Sequence, residues 1–183
     1  VCRSGQYIYV ADTGNNAVVK FRHADANATT IHYVDEYTGS GGQALSAPED
    51  VIEVDGKLLV ADTGNDRIVI LNASDMTWED SFGSTGNGDD EFNSPTGLVY
   101  YESVTTDNYV YVVDSGNNRV CIWNYDTLSW VSNTAGFNAP NKIALYGTTF
   151  YITCTGDNKV SICDDSLTET DSITGLNNPK GVY

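Results

Sequence analysis

Apolar and polar residues alternate along most of this chain, in short runs set apart by turn-forming residues. Tyr7 to Asp12, Lys57 to Asp62 and Tyr109 to Asp114 each read as a half-buried strand. Each leads through a polar turn into a second β-branched run, Ala17 to His23, Arg67 to Asn72 and Arg119 to Trp123. A period of two on both sides of a turn rich in Gly and Asn predicts a β-hairpin. No stretch predicts a helix longer than a turn.

The turn itself repeats. It reads Asp12-Thr13-Gly14-Asn15-Asn16, then Asp62-Thr63-Gly64-Asn65-Asp66, then Asp114-Ser115-Gly116-Asn117-Asn118. A fourth copy, Thr155-Gly156-Asp157-Asn158, has Cys154 where the others have Asp. The central glycines lie about 40 to 52 residues apart, a period that marks repeated supersecondary units such as propeller blades. Gly14, Gly64, Gly116 and Gly156 are expected at left-handed positions of the turns. Asp12, Asp62 and Asp114 are expected to accept hydrogen bonds from their own loops. All seven read as structural turn residues.

Outer runs complete each unit. Thr29 to Glu36 follows the first hairpin, and the glycines of Gly39-Ser40-Gly41-Gly42 break the pattern before Pro48 restarts it. Pro48, Pro95 and Pro140 open the later units, and Thr77 to Phe82, Leu128 to Ser132 and Leu167 to Ile173 close them. Four antiparallel strands per unit is the signature of propeller blades. One all-β domain over 1–183 is expected, with units at about 1–46, 47–93, 94–138 and 139–178.

The pattern Pro-x-Gly-apolar, a short turn, then Val-Ala-Asp-Thr-Gly-Asn-Asn-Arg-Val resembles the NHL repeat. It is closest at Pro48 to Leu71 and Pro95 to Trp123, and it departs most in the fourth unit, where Asn141-Lys142 replaces x-Gly. The resemblance implies a β-propeller of about four NHL-like blades around a central channel. Relatives of this kind include amidating lyases with a histidine-bound metal in the channel and lactonase-like enzymes that use calcium. The segment Asn178 to Tyr183 opens a further unit, while the first unit has only the tail of its first strand, Val1 to Ser4. Residues 179–183 are therefore expected to complete a first blade shared between the two ends. They do so either within one closed ring or in the next molecule of a head-to-tail filament; a section of a longer array is the third arrangement.

Charge narrows the partners. Nine Lys and Arg against 25 Asp and Glu give a net charge of −16, which repels phosphate backbones and argues against nucleic acid. No run approaches the roughly 18 apolar residues that span a bilayer, so no membrane insertion is expected. The chain opens at Val1 without Met and without a basic-then-apolar leader, as expected of a processed secreted chain or an excised portion. Sequons at Asn27-Ala28-Thr29 and Asn72-Ala73-Ser74 mark Asn27 and Asn72 as glycosylation candidates on surface loops. Cys2, Cys121, Cys154 and Cys163 are too scattered for a zinc signature and read as buried strand residues or, in an oxidising compartment, as disulfide partners.

No catalytic constellation is present in the sequence. His23 and His32 sit at strand-like positions, and there is no nucleophile elbow or phosphate-cradling loop. Asp89, Asp90 and Glu91, in the Gly83 to Phe92 loop, are the calcium candidates, because hard cations take oxygen ligands. The leading reading is a non-catalytic extracellular propeller that serves as a binding or structural assembly module. It would self-associate through Pro179 to Tyr183 and bind a protein or glycan ligand. The alternatives are a hydrolase or lyase with a metal in the channel, and an intracellular protein-interaction scaffold.

Overall fold

The structure is a computed structural model that describes residues 1–23, 30–103 and 107–183. The chain is an all-β propeller of four blades, each a four-stranded antiparallel sheet in sequential order. Blade one holds β1 (Cys2–Ser4), β2 (Tyr7–Asp12), β3 (Ala17–His23) and β4 (Ile31–Tyr37). Blade two holds β5 (Asp50–Val54), β6 (Lys57–Asp62), β7 (Arg67–Asn72) and β8 (Trp78–Phe82). A short parallel pair, β9 (Ser84–Thr85) and β10 (Glu91–Phe92), closes the loop into blade three. Blade three comprises β11 (Pro95–Tyr101), β12 (Tyr109–Asp114), β13 (Arg119–Asn124) and β14 (Ser129–Ala135). Blade four comprises β15 (Pro140–Tyr146), β16 (Thr149–Cys154), β17 (Lys159–Cys163) and β18 (Glu169–Ile173). No helix among the described residues is long and apolar enough to cross a membrane.

The central strands are apolar on both faces because each covered blade is packed on both sides. In blade two, Leu58, Val60, Val69 and Leu71 enter a cluster with Tyr9 and Val18 of blade one. The alternate residues Leu59, Ala61, Ile68 and Ile70 enter a second cluster with Val110, Val112 and Trp123 of blade three. A third cluster joins Tyr111, Val113 and Val120 of blade three to Phe150, Ile152 and Cys163 of blade four. Lys20 is the buried exception at the first junction: its ammonium donates to the Ala73 and Ser74 carbonyls at 2.6 and 2.8 Å and lies 4.5 Å from the Tyr7 ring centroid. Burial also pushes the Tyr9 hydroxyl, which donates to the same Ala73 carbonyl, up to about 12.

The shared blade is not formed as expected. Cys2–Ser4 occupies the inner position beside Tyr7–Asp12, and Pro179–Tyr183 pairs with no strand among the described residues. Counted back from the β1–β2 and β5–β6 turns and forward from the prolines, Val182 and Tyr183 fall at the register already held by Val1 and Cys2.

Candidate functional site

The repeated turn is built differently from its sequence reading. Thr13–Asn15, Thr63–Asn65, Ser115–Asn117 and Thr155–Asp157 each form one 3-10 turn, and the left-handed residue is the next one. Asn16, Asp66, Asn118 and Asn158 have φ of 54, 53, 55 and 53°. Asn and Asp tolerate this conformation better than other side chains. Gly14, Gly64, Gly116 and Gly156 are not left-handed. Three of them are glycine for room: a Cβ on Gly64 would lie 2.4 Å from Ser46 Oγ, on Gly116 2.5 Å from Asn93, and on Gly156 2.5 Å from Asn138, whereas Gly14 faces open space.

Each left-handed residue fastens the following blade. The side-chain oxygens of Asn16, Asp66 and Asn118 accept the backbone N–H of Ala47, Ser94 and Ala139 at 2.7, 2.7 and 2.8 Å. Those residues precede Pro48, Pro95 and Pro140. The Thr13 and Thr63 hydroxyls donate to the Pro48 and Pro95 carbonyls at 2.7 and 2.6 Å. Asn158 and Thr155 hold Asn178 and Pro179 in the same way, at 2.9 and 2.8 Å.

The turn aspartates reach further than their own loops. Fully buried Asp62 accepts Ser46 N–H through Oδ1 at 2.7 Å, and Asn65 Nδ2 and Arg67 Nε through Oδ2 at 2.9 and 2.7 Å. Asp114 repeats this with Asn93 N–H, Asn117 and Arg119. Arg67 then donates to the Gly42 and Ala44 carbonyls, and Arg119 to those of Asn87, Gly88 and Glu91. Among the described residues Asp12 has only Asn15 as a side-chain partner, and Ala17 stands where the arginines stand. In blade four, with Cys154 in place of Asp, Lys159 pairs instead with Glu169 at 2.7 Å.

These arginines were missed in the sequence reading, although each directly follows a left-handed residue. Arg119 also bears on the calcium candidates. Its guanidinium takes carbonyls of the loop that carries Asp89, Asp90 and Glu91, and Glu91 turns back to accept Gly88 N–H at 2.7 Å. Asp89 and Asp90 are exposed, and among the described residues no three His, Cys, Asp or Glu side chains converge to hold a metal. Asn72 lies on a surface turn, its Oδ1 accepting Ser74 N–H and Oγ, whereas Asn27 lies outside the described residues. His23 and His32 lie on β3 and β4, and the four cysteines are free. Burial pushes the Cys121 and Cys163 thiols up to about 12, which disfavours their thiolates.

The inner strands enclose a channel cavity of about 300 Å³ bounded by Cys2, Val51, Leu98, Ile143 and Val182. Lys142 crosses its mouth. Its ammonium donates to the Glu49 carbonyl at 2.9 Å and to the Thr96 carbonyl, and lies 3.4 Å from the Asp50 carboxylate. Gly97 makes this crossing geometrically available, since a Cβ there would lie 3.1 Å from Lys142 Cα. Blades two, three and four are thus tied at one point.

The outer flanks of the end blades form a second surface. Leu58, Val60, Val69 and Leu71 are fully buried, but their register counterparts Ile8, Val10 and Phe21 in blade one are only part-buried. With Ile31, which is 51% exposed, these three line an apolar depression of about 320 Å³. On blade four, Tyr151 and Ile162 are likewise part-buried where Leu59 and Ile70 are covered, and Ile173 is 49% exposed.

Solved propellers share this architecture. The chain is similar to a chain of a nidogen/laminin complex, at 19% identity and a TM-score of 0.71, covering 93% of this chain and 60% of that one. It is similar to a functionally unknown protein of Desulfotomaculum acetoxidans, at 18% identity and a TM-score of 0.74, covering 97% and 57%. A streptogramin B lyase matches at 11% identity and a TM-score of 0.70, covering 98% and 56%. The chain therefore spans somewhat over half the length of these structures. No family model matches it, and no curated protein matches it.

Proposed function

We propose that this chain is a non-catalytic NHL-type propeller that acts outside the cell as a binding and assembly module, engaging partners through the flanks of its end blades. The carrying observation is the contrast between covered and uncovered positions of one repeated interface: Val60 is fully buried, while its counterpart Val10 stands in an open apolar depression. Contiguous exposed apolar surface of this kind marks an interaction site. The NHL assignment rests on the turn and proline pattern, and the extracellular one on the Asn72 sequon and the acidic composition.

A dye that fluoresces on apolar surface tests the flanks. In dilute solution the native chain should bind it, and Val10→Asp and Ile162→Asp should each remove part of the signal while leaving the melting temperature nearly unchanged. Equal dye binding by all three proteins refutes the flank reading. Secretion from a eukaryotic host tests the location, with glycan mass expected at Asn72.

A further inference from the structure

We infer that Asn87 modifies itself: the amide nitrogen of Gly88 attacks the Asn87 side chain, with Glu91 as the base and Arg119 as the polarising cation, and residue 87 passes through a succinimide to isoaspartate and aspartate. The site is the loop from blade two into blade three, and the reaction is independent of what the flanks bind.

The sequence supplies the reactants, since residues 87 and 88 are the one Asn-Gly pair in the chain. Glycine has no Cβ to shield its nitrogen from the side chain before it. The structure then loads both ends of the peptide group between the two residues. On the oxygen side, Arg119 Nη1 donates to the Asn87 carbonyl at 3.0 Å. On the nitrogen side, Gly88 N–H donates to Glu91 Oε2 at 2.7 Å. The cation draws electron density from the amide and acidifies its N–H, and the carboxylate stands where that proton must go. Glycine also makes the room for Glu91: a Cβ on Gly86 would overlap its carboxylate, and one on Gly88 would lie 3.0 Å from Oε2. The backbone around the pair is held. Gly86 N–H donates to the Phe92 carbonyl at 2.9 Å, the Gly86 carbonyl accepts Asn117 Nδ2 at 2.8 Å, and Arg119 Nη2 takes the carbonyls of Gly88 and Glu91 at 2.9 and 2.8 Å. The Asn87 side chain is exposed and makes no hydrogen bond among the described residues, whereas those of Asn15, Asn65 and Asn117 each bond their turn aspartate. A fixed nucleophile thus faces a side chain that is free to turn onto it.

In the first step Gly88 N gives its proton to Glu91 and bonds to Asn87 Cγ. The tetrahedral carbon then expels its own nitrogen, which takes that proton back from Glu91 and leaves as ammonia. A succinimide ring remains, and Glu91 is restored. Water opens the ring at either carbonyl. Attack at Cγ gives aspartate; attack at the backbone carbonyl gives isoaspartate, with the freed α-carboxylate at the oxygen Arg119 already holds. That contact polarises the backbone carbonyl and stabilises the charge formed there, so isoaspartate is the main product. The net change is amide plus water to carboxylate plus ammonium, with nothing oxidised or reduced. It adds a negative charge beside Asp89, Asp90 and Glu91, and in isoaspartate an extra methylene in the chain between blades two and three.

Timed mass spectrometry of the peptide that spans residue 87 tests this, with the chain incubated folded and, at the same pH, unfolded in guanidinium chloride. Unfolding removes both contacts but not the Asn-Gly pair, so the folded chain should convert at least about 10-fold faster. Glu91→Gln keeps an acceptor without the charge. It should slow the folded chain to about the unfolded rate and leave the unfolded rate unchanged, a melting curve confirming that the variant folds. Chromatography of the two product peptides, equal in mass, should show a larger share of isoaspartate from the folded chain than from the unfolded one. A folded chain that converts no faster than the unfolded one overturns the inference, as does a folded Glu91→Gln that keeps the native rate. Equal product shares overturn the part given to Arg119. If Glu91→Gln does not fold, the native chain compared folded and unfolded decides alone.

Discussion

A glycine can be required by its own backbone or by what lies against it, and the repeated turns separate the two. Gly64→Ala should destabilise the fold by about 1–3 kcal/mol in urea unfolding, because its Cβ would press on Ser46, while Gly14→Ala should be close to neutral. Equal effects would show that backbone conformation decides both. The repeat made these turns legible in the sequence, but both requirements are written as the same letter. The left-handed φ therefore went to the glycine and not to the Asn or Asp two residues on. The run Asp89-Asp90-Glu91 is legible as acidic, but no local pattern shows that Arg119, nearly thirty residues downstream, places its guanidinium among that loop's carbonyls. Asp114→Ala should cost about 3–5 kcal/mol by leaving Arg119 buried without its carboxylate. Asp12→Ala, with no arginine to orphan, should cost far less.

Strands were the most legible level. Tyr7–Asp12, Ala17–His23, Lys57–Asp62 and Arg67–Asn72 have the bounds their alternation predicts, because burial on a pleated sheet imposes a period of two. The outermost strands start later than expected. Leu128 and Leu167 are left-handed turn residues, and their apolar side chains cannot be told from strand positions by pattern alone. Blade four shows how an element holds when its repeat residue is replaced. Hydrogen bonds from Lys159 and Ser161 hold the Glu169 carboxyl below its usual range. A depressed folded-state value contributes stability that is present above the unfolded value, near 4.5, and lost as pH falls through the lower one. Glu169→Gln should therefore melt slightly below the native chain at neutral pH and converge with it in acid, the gap being small because the pair is partly exposed. A gap that persists in acid would mean that the charge on Glu169 contributes nothing.

At the scale of the molecule, the sequence shows how many blades there are but not their curvature, which depends on how closely inner strands approach one another. Gly97 and Lys142 set one such approach, and the departure from x-Gly at Asn141-Lys142 marks it only in hindsight. Lys142→Ala should lower stability by about 1–3 kcal/mol, since it leaves Asp50 without its cation in a half-buried site. The arrangement of two blades covered on both flanks between two covered on one also orders the molecule in time. Amide hydrogens reach solvent through local opening, and opening is easier where fewer apolar contacts must separate. The amides of Leu58 to Ala61 and Val110 to Val113 should therefore outlast those of Ile8 to Ala11 and Phe150 to Thr153 in deuterium exchange. A partner seated on both flanks would slow the outer sets toward the inner ones, and the exchange clock would then read the same all the way round.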